Sequence, residues 1–241
     1  MKLQAITPAH YPWYDYARYS FSLGLKTERG AYLSGHTASE YDPIAKKIVV
    51  RGSMSDQVRT AYAKIAAILE GAGMGFQDVV RVVEYVRPEG IARYAEAAAV
   101  RAEVFGAHQP TVHTVPVKSL LRPEAFIEIE ITAGPVGAAT DVGSRASPAR
   151  DSAGVVYLPT IQPVDAQGRI VGAGDIVAQT AYIFEQAGKM LAALGLGFHN
   201  VVKTVDYLTA QGLAQYKGTG RIRKQHLGPI YPGAAGLMMP R

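Results

Sequence analysis

Two glutamates that alternate with isoleucines are the first candidates for acid–base chemistry in this chain. Within the run from Phe126 to Ala133, Glu128 and Glu130 alternate with isoleucines at 127, 129 and 131. This period of two predicts a strand that carries both carboxylates on the face away from the helices. By itself the pattern is typical of a polar strand face, with Glu130 available for an ion pair at a subunit contact.

Histidines are the other acid–base candidates. His36 follows the Ser34-Gly35 turn, where it could act as an acid or base near neutral pH or serve as a hydrogen-bonded structural histidine. His108 and His113 have no acidic partner at a standard metal-ligand spacing, so we expect no metal site and no cofactor.

Composition removes several other kinds of chemistry. The 241 residues include no cysteine, which excludes a thiol nucleophile, a disulfide scaffold and an iron–sulfur cluster. The formal charge is +5, but lysines and arginines are scattered, so a nucleic-acid partner is not favoured. We find neither an apolar run of about 18 residues nor a secretory leader, and we therefore expect a cytoplasmic protein with no membrane partner.

The chain repeats itself at a constant spacing. The segment that begins at Gly73 returns 122 residues later at Gly195 (195 − 73 = 122), with Asp78-Val79-Val80 matched by Asn200-Val201-Val202. The same offset joins Gly52 to Gly174, Gln57 to Gln179, Leu69 to Leu191, Gly90 to Gly212, Tyr94 to Tyr216, Arg101 to Arg223 and Pro110 to Pro232. We interpret the two halves as a tandem duplication of one domain.

Within one copy the pattern predicts strand, strand, helix, strand, helix, strand and strand. Ser53 and Asp56 resemble a capping box, and the apolar residues that follow repeat at helical spacing until Gly73 ends the helix. The β-branched run Val79 to Val86 predicts a strand. We expect an α+β fold in which each domain is a mixed sheet with two helices packed on one face.

The predicted domains are residues 1–133, with an N-terminal aromatic extension, and residues 154–241. Residues 134–153 are rich in Gly, Ala, Ser and Pro and are predicted to be a linker. Because Ser119 aligns with Arg241, we expect the second domain to lack its final strand. Truncation, proteolysis or a strand supplied by a separate fragment would each explain this.

The first copy resembles the RidA/YjgF/UK114 family, formerly called L-PSP endoribonucleases, nearly end to end. The resemblance rests on Tyr32-Leu33-Ser34-Gly35, Gln57, Ile68 to Gly73, Asp78-Val79-Val80-Arg81, Pro110 and Ile127 to Ala133. It implies a chorismate-mutase-like fold, a homo-oligomer that is trimeric or pseudo-trimeric, and clefts that bind small molecules. The best-known members hydrolyse imines and enamines to a carbonyl compound and ammonia without a cofactor.

The resemblance also implies site residues. The family's glutamate on the last strand matches Glu128, its early Tyr-Ser motif matches Tyr19, and Gly35 and His36 fall where the family has a turn beside the cleft. We therefore expect Glu128 to orient the attacking water, with His36 as a second catalytic candidate and with Tyr19, Gly35, Val112 and Thr114 shaping the cleft.

One family position departs from the pattern. The arginine that clamps a substrate carboxylate two residues after the conserved proline is Val112 here and Ala234 in the second copy. His113 is a possible substitute and substrate-binding residue, although strand alternation points it away from the cleft if Val112 and Thr114 face it. A substrate that is less acidic, or held differently, than a 2-imino acid is implied.

Three functions follow as hypotheses. The first is a hydrolase or deaminase of a small imine, enamine or related C–N compound. The second is a non-catalytic ligand-binding or scaffold protein, and the third is a ribonuclease or translation inhibitor.

Overall fold

The computed structural model describes residues 3–144 and 147–240. Residues 145–146 of the predicted linker, and Arg241, which the repeat aligns with Ser119, lie outside the described residues. The chain divides into two compact units, of which unit 1 comprises Met1–Ala139 and Ala146–Pro159 and unit 2 comprises Thr140–Arg145 and Thr160–Arg241.

Unit 1 is a six-stranded mixed sheet with helices on one face, as predicted. Its strands are β1 (Gln4–Ala5), β2 (Gly24–Thr27), β3 (Gly30–Leu33), β4 (Glu40–Asp42), β5 (Lys47–Val49), β6 (Val79–Val86), β7 (Thr111–Pro116) and β8 (Ile127–Ala133), and its helices are α1 (Met54–Gly71), α2 (Pro88–Ile91) and α3 (Tyr94–Phe105). The sheet order is β1-β2-β3-β8-β6-β7, with β6 and β7 parallel and β6 and β8 antiparallel, while β4 and β5 form a separate hairpin.

The core of unit 1 lies between the sheet and the two long helices. The predicted capping box is present, because Ser53 Oγ accepts a hydrogen bond from the Asp56 backbone N–H and the Asp56 carboxylate accepts one from the Ser53 N–H. Ile65, Ile68 and Leu69 of α1 are fully buried against the sheet. Burial of this kind is the main driving force for docking the helix.

Strand β8 shows the predicted alternation. Its isoleucines are buried beneath the helices, and Glu128, Glu130 and Thr132 are half-buried on the opposite face. The pairing of Tyr85 with Glu128 and of Val83 with Glu130 sets the neighbours of both carboxylates. This is the face on which the candidate site lies.

The segment predicted as a linker contains strands. It holds β9 (Ala139–Thr140) and β10 (Ala149–Ser152), and β10 forms an antiparallel hairpin with β11 (Val155–Tyr157), which the sequence prediction assigned to the second domain. This hairpin belongs to unit 1, and Arg150 binds it to the loop before β7, because its Nε donates a hydrogen bond of 2.7 Å to the Gln109 carbonyl. A long-range contact of this kind leaves no local signal in a segment rich in small residues.

Unit 2 contains α4 (Ile176–Ala193), β12 (Lys203–Leu208), α5 (Ala210–Gln215), α6 (Gly220–Leu227) and β13 (Gly233–Met238). The parallel pairing of β12 with β13 begins at Lys203 and Gly233, each 122 residues after the Arg81 and Thr111 that open the pairing of β6 with β7 (81 + 122 = 203; 111 + 122 = 233). Within the described residues β12 pairs with β13 alone, whereas β6 lies between β7 and β8.

A polar network recurs at the same offset. In unit 1 Glu84 accepts hydrogen bonds from Tyr94 (2.6 Å) and Arg101 (2.7 Å). In unit 2 Asp206 accepts them from Tyr216 (2.6 Å) and Arg223 (2.7 Å). This correspondence supports the proposal that the units are copies of one domain.

Candidate functional site

An open cavity of about 180 Å³ lies in unit 1, on the sheet face away from the helices. It is formed where the N-terminal aromatic segment, the loop after β3, strand β5, the loop before β8 and the start of β8 meet. Its lining residues are Tyr14, Tyr19, Phe21, Gly35, Thr37, Ser39, Ile48, Leu121, Arg122 and Glu128. Three predicted site residues, Tyr19, Gly35 and Glu128, therefore line one cavity.

Glu128 is the carboxylate of this lining. Burial raises the pKa of its side chain, and the charge of Glu130 on the same strand face raises it further. A carboxylate with a raised pKa is a stronger base than an exposed one, so it can accept a proton from water more readily.

Gly35 leaves the space that the Glu128 carboxylate occupies. A Cβ atom at position 35 would lie 2.1 Å from Glu128 Oε1, far inside contact distance. The absence of a side chain at this turn is thus what allows the carboxylate to reach the cavity wall.

Aromatic rings form another part of the cavity lining. Tyr19 is 40% exposed, and its ring centroid lies 5.9 Å from that of Tyr14 and 5.8 Å from that of Phe21. Tyr14 is also packed edge-on against Tyr11, with a centroid distance of 5.3 Å. The aromatic segment is therefore part of the cavity, and its Tyr11 and Tyr16 also pack against the main core cluster of unit 1.

Arg122 is a cavity residue that sequence reasoning missed. It is half-buried, and it forms no ion pair within residues 3–144 and 147–240. Tyr14 lies within electrostatic range of both Arg122 and Glu128, since the pKa of Tyr14, raised mainly by burial, is lowered by the first and raised by the second. The cavity thus presents a cationic and an anionic side chain near one aromatic ring.

His36 is not among the cavity-lining residues. Its backbone pairs with Ile129 (N–H to carbonyl 2.9 Å), its side chain is 2% exposed, and Nε2 lies 3.4 Å from the Leu23 carbonyl. Burial, with a further contribution from the charge of Lys64, lowers the pKa of His36 to about 4. His36 thus has the surroundings of a structural histidine and lies outside the cavity at which a catalytic role was expected.

Val112 and Thr114 do not shape the cavity either, contrary to expectation. Both lie on the helix side of β7: Val112 belongs to the main core cluster, and the Thr114 hydroxyl lies 2.5 Å from the Tyr94 hydroxyl in the network on Glu84. The register of β7 against β6, in which Glu84 pairs with Thr114, places them there. A long side chain at position 112 would meet the helix layer.

His113 lies on the other face of β7, as alternation requires once Val112 faces the helices. It pairs with Val83, the residue that also pairs with Glu130. Burial first, and the neighbouring Arg81 second, lower the pKa of His113 to about 4. It is not among the residues that line the cavity with Glu128.

Lys64 is a second residue without a signal in the sequence. It belongs to α1, has no exposed surface, and donates a hydrogen bond of 2.8 Å to the carbonyl of the cavity residue Thr37. Its amino group also hydrogen-bonds the Ser39 carbonyl. A buried amine thus lies directly behind one cavity wall.

Comparison with known proteins assigns the family of this chain. The family model described as endoribonuclease L-PSP matches residues 14–134. RutC family proteins of Pyrococcus horikoshii and Pyrococcus abyssi are each 34% identical over 113 residues, which is 47% of this chain and 85% and 84% of theirs. The chain therefore belongs to the endoribonuclease L-PSP family, as the sequence predicted.

Solved structures resemble about half of the chain. A Mycobacterium tuberculosis member of the YjgF/YER057c/UK114 family is 26% identical, with a TM-score of 0.44 over 55% of this chain and 99% of that one. Yeast Mmf1 is 23% identical, with a TM-score of 0.47 over 55% of this chain and 98% of that one. Among the described residues no helix is both long and apolar enough to cross a membrane.

Proposed function

We propose that unit 1 hydrolyses a small imine, enamine or related C–N compound in the cavity at Glu128. The observation that carries this proposal is the joint placement of Glu128, Gly35 and Tyr19 around one open cavity. The family resemblance suggests the reaction class, and the raised pKa of Glu128 suits a residue that first accepts and then returns a proton.

The reaction needs no redox partner. The imine nitrogen first takes a proton from solvent. Glu128 then accepts a proton from water as the water oxygen bonds to the iminium carbon, and the electron pair of the C=N bond moves to nitrogen. In the resulting carbinolamine, nitrogen receives the proton held by Glu128 and the C–N bond breaks to release ammonia, while the hydroxyl gives its proton to Glu128, which returns it to solvent, and the carbonyl forms. The sum is one imine and one water giving one carbonyl compound and one ammonia.

Arg122 gives the substrate a second point of attachment. Within the cavity lining it is the cationic side chain, and its guanidinium suits a carboxylate or another anionic or strongly polar group. The rings of Tyr14, Tyr19 and Phe21 favour an apolar or planar part. We therefore expect a substrate that is held from the loop before β8 and not from position 112.

Ammonia release from a panel of imines and enamines tests the proposal. We expect turnover by the wild type, a loss of at least about 100-fold in Glu128→Gln, and full activity in Glu124→Gln, which makes the same change at an exposed glutamate outside the cavity. Equal activity of wild type and Glu128→Gln would remove this mechanism.

A ligand-binding protein without hydrolysis is the alternative, and Val112 at the position of the family arginine favours it. It predicts saturable binding of the same compounds without ammonia release. The description of the family model also raises RNA cleavage, which a metal-free and nuclease-free preparation tests. A homo-oligomer, and a separate strand that completes the sheet of unit 2 beside β12, remain predictions for analytical ultracentrifugation.

A further inference from the structure

The amino group of Lys64 contacts one wall of the cavity from behind. Nζ donates hydrogen bonds to the carbonyls of Thr37 (2.8 Å) and Ser39, and it lies 3.4 Å from Ser39 Oγ. Both partners line the cavity. The backbone of this wall is thus bound to a rigid, buried position of α1.

The same amino group contacts the aromatic wall. Nζ lies 5.2 Å from the ring centroid of Tyr14, which lines the cavity, and 6.0 Å from that of Trp13. These distances are those of cation–π contacts when the amine is protonated. One buried amine therefore contacts two segments that are distant in the sequence, the Trp13–Tyr14 segment and the Thr37–Ser39 segment.

Two charged residues, Glu40 and Arg122, affect the pKa of Lys64. Burial lowers the pKa of Lys64 to about 7, Glu40 at the start of β4 opposes this change, and Arg122 adds to it. His36 has its pKa lowered to about 4 and Tyr14 has its pKa raised, so both stay neutral around pH 7. A proton gained or lost by Lys64 is thus distinguishable from the titration of these two groups.

We propose that Lys64 is a positioning residue of the cavity. Its amino group binds both the Thr37–Ser39 wall and the Tyr14 wall, so a change in the charge of this group alters the contacts of both walls. The ammonium donates three hydrogen bonds and attracts the rings, whereas the neutral amine retains the carbonyl contacts but loses the attraction of the rings. This goes beyond hydrolysis, and it stands or falls independently of any activity at Glu128.

Trp13 provides a direct test because it is the single tryptophan of the chain. We expect its fluorescence to change in one step with a midpoint near pH 7 in the wild type and in Lys118→Met, an exposed-lysine control. In Lys64→Met the step should disappear. A step that persists in Lys64→Met would belong to another group and would overturn the proposal.

A measurement on the unmodified protein covers the case in which Lys64→Met does not fold. Side-chain NMR should show Lys64 titrating near pH 7, with the backbone amides of Thr37 and Ser39 and the Tyr14 ring signals shifting at the same midpoint. Titration of Lys64 near 10.5, as for an exposed lysine, or wall signals that do not follow it, would contradict the proposal.

Discussion

Replacing Gly35 by alanine should displace the Glu128 carboxylate, and so lower the reaction rate, with little effect on the stability of the fold. The new Cβ would lie 2.1 Å from Glu128 Oε1, whereas ordinary contact begins at 3.4 Å, so the carboxylate oxygen must retreat by about 1.3 Å (3.4 − 2.1). A misplacement of about 1 Å at a reacting group costs on the order of 100-fold in rate. We therefore expect kcat/KM for ammonia release to fall about 100-fold, or about 2.7 kcal/mol.

Stability should change little in this variant. The group that must move is the end of a rotatable side chain, and Gly35 does not have a left-handed backbone that would strain an alanine. Alanine also lowers the entropy of the unfolded chain by about 0.4–1 kcal/mol, which offsets part of the crowding. Thermal unfolding should thus occur within a few degrees of the wild type.

Gly220 provides a control for the Gly35→Ala variant. Gly220 has a helical backbone, and a Cβ there would meet nothing within 4 Å, so Gly220→Ala should leave kcat/KM unchanged and raise the free energy of unfolding by about 0.4–1 kcal/mol. Full activity in a folded Gly35→Ala protein would refute the assigned role of the Glu128 carboxylate.

Three further changes test other parts of the site and fold. Glu130→Gln should lower the pKa of Glu128, because the charge of Glu130 raises that pKa. The ascending limb of the pH–activity profile should therefore move to lower pH, and a move to higher pH would contradict the assignment of this limb to Glu128. Arg122→Gln should raise KM about tenfold for anionic substrates, or about 1.4 kcal/mol, with kcat unchanged, and an equal rise for neutral analogues would exclude a charge-based role. Glu84→Gln should lower the free energy of unfolding by about 3 kcal/mol in urea titrations, because it leaves the partly buried Arg101 without its carboxylate, and an unchanged midpoint would show that the network contributes little.

Local features of the fold could be predicted from the sequence. The start of α1 and the alternation of β8 depend on residues within a few positions of one another, and both agree with the structure. Strand β2 (Gly24–Thr27) was not predicted, because its polar lysine and threonine are not the β-branched apolar residues that mark a buried strand.

The site was harder to predict because it depends on contacts between distant segments. The face on which Val112 lies follows from the register between β6 and β7, which alternation alone does not determine. Arg122 lies in a loop and Lys64 within a helix, where charged residues are usually solvated, so nothing local marks either as a neighbour of the cavity. Glu128, Tyr19 and Gly35 were predicted through the family resemblance and not from spacing.

The pH dependence of kcat/KM for ammonia release tests the central claim most directly. If Glu128 is the base, activity should rise along a single limb whose apparent pKa lies above the ordinary 4.5 of a glutamate, and this limb should be missing in Glu128→Gln. The same limb in both proteins, or a rate independent of pH across that range, would contradict it.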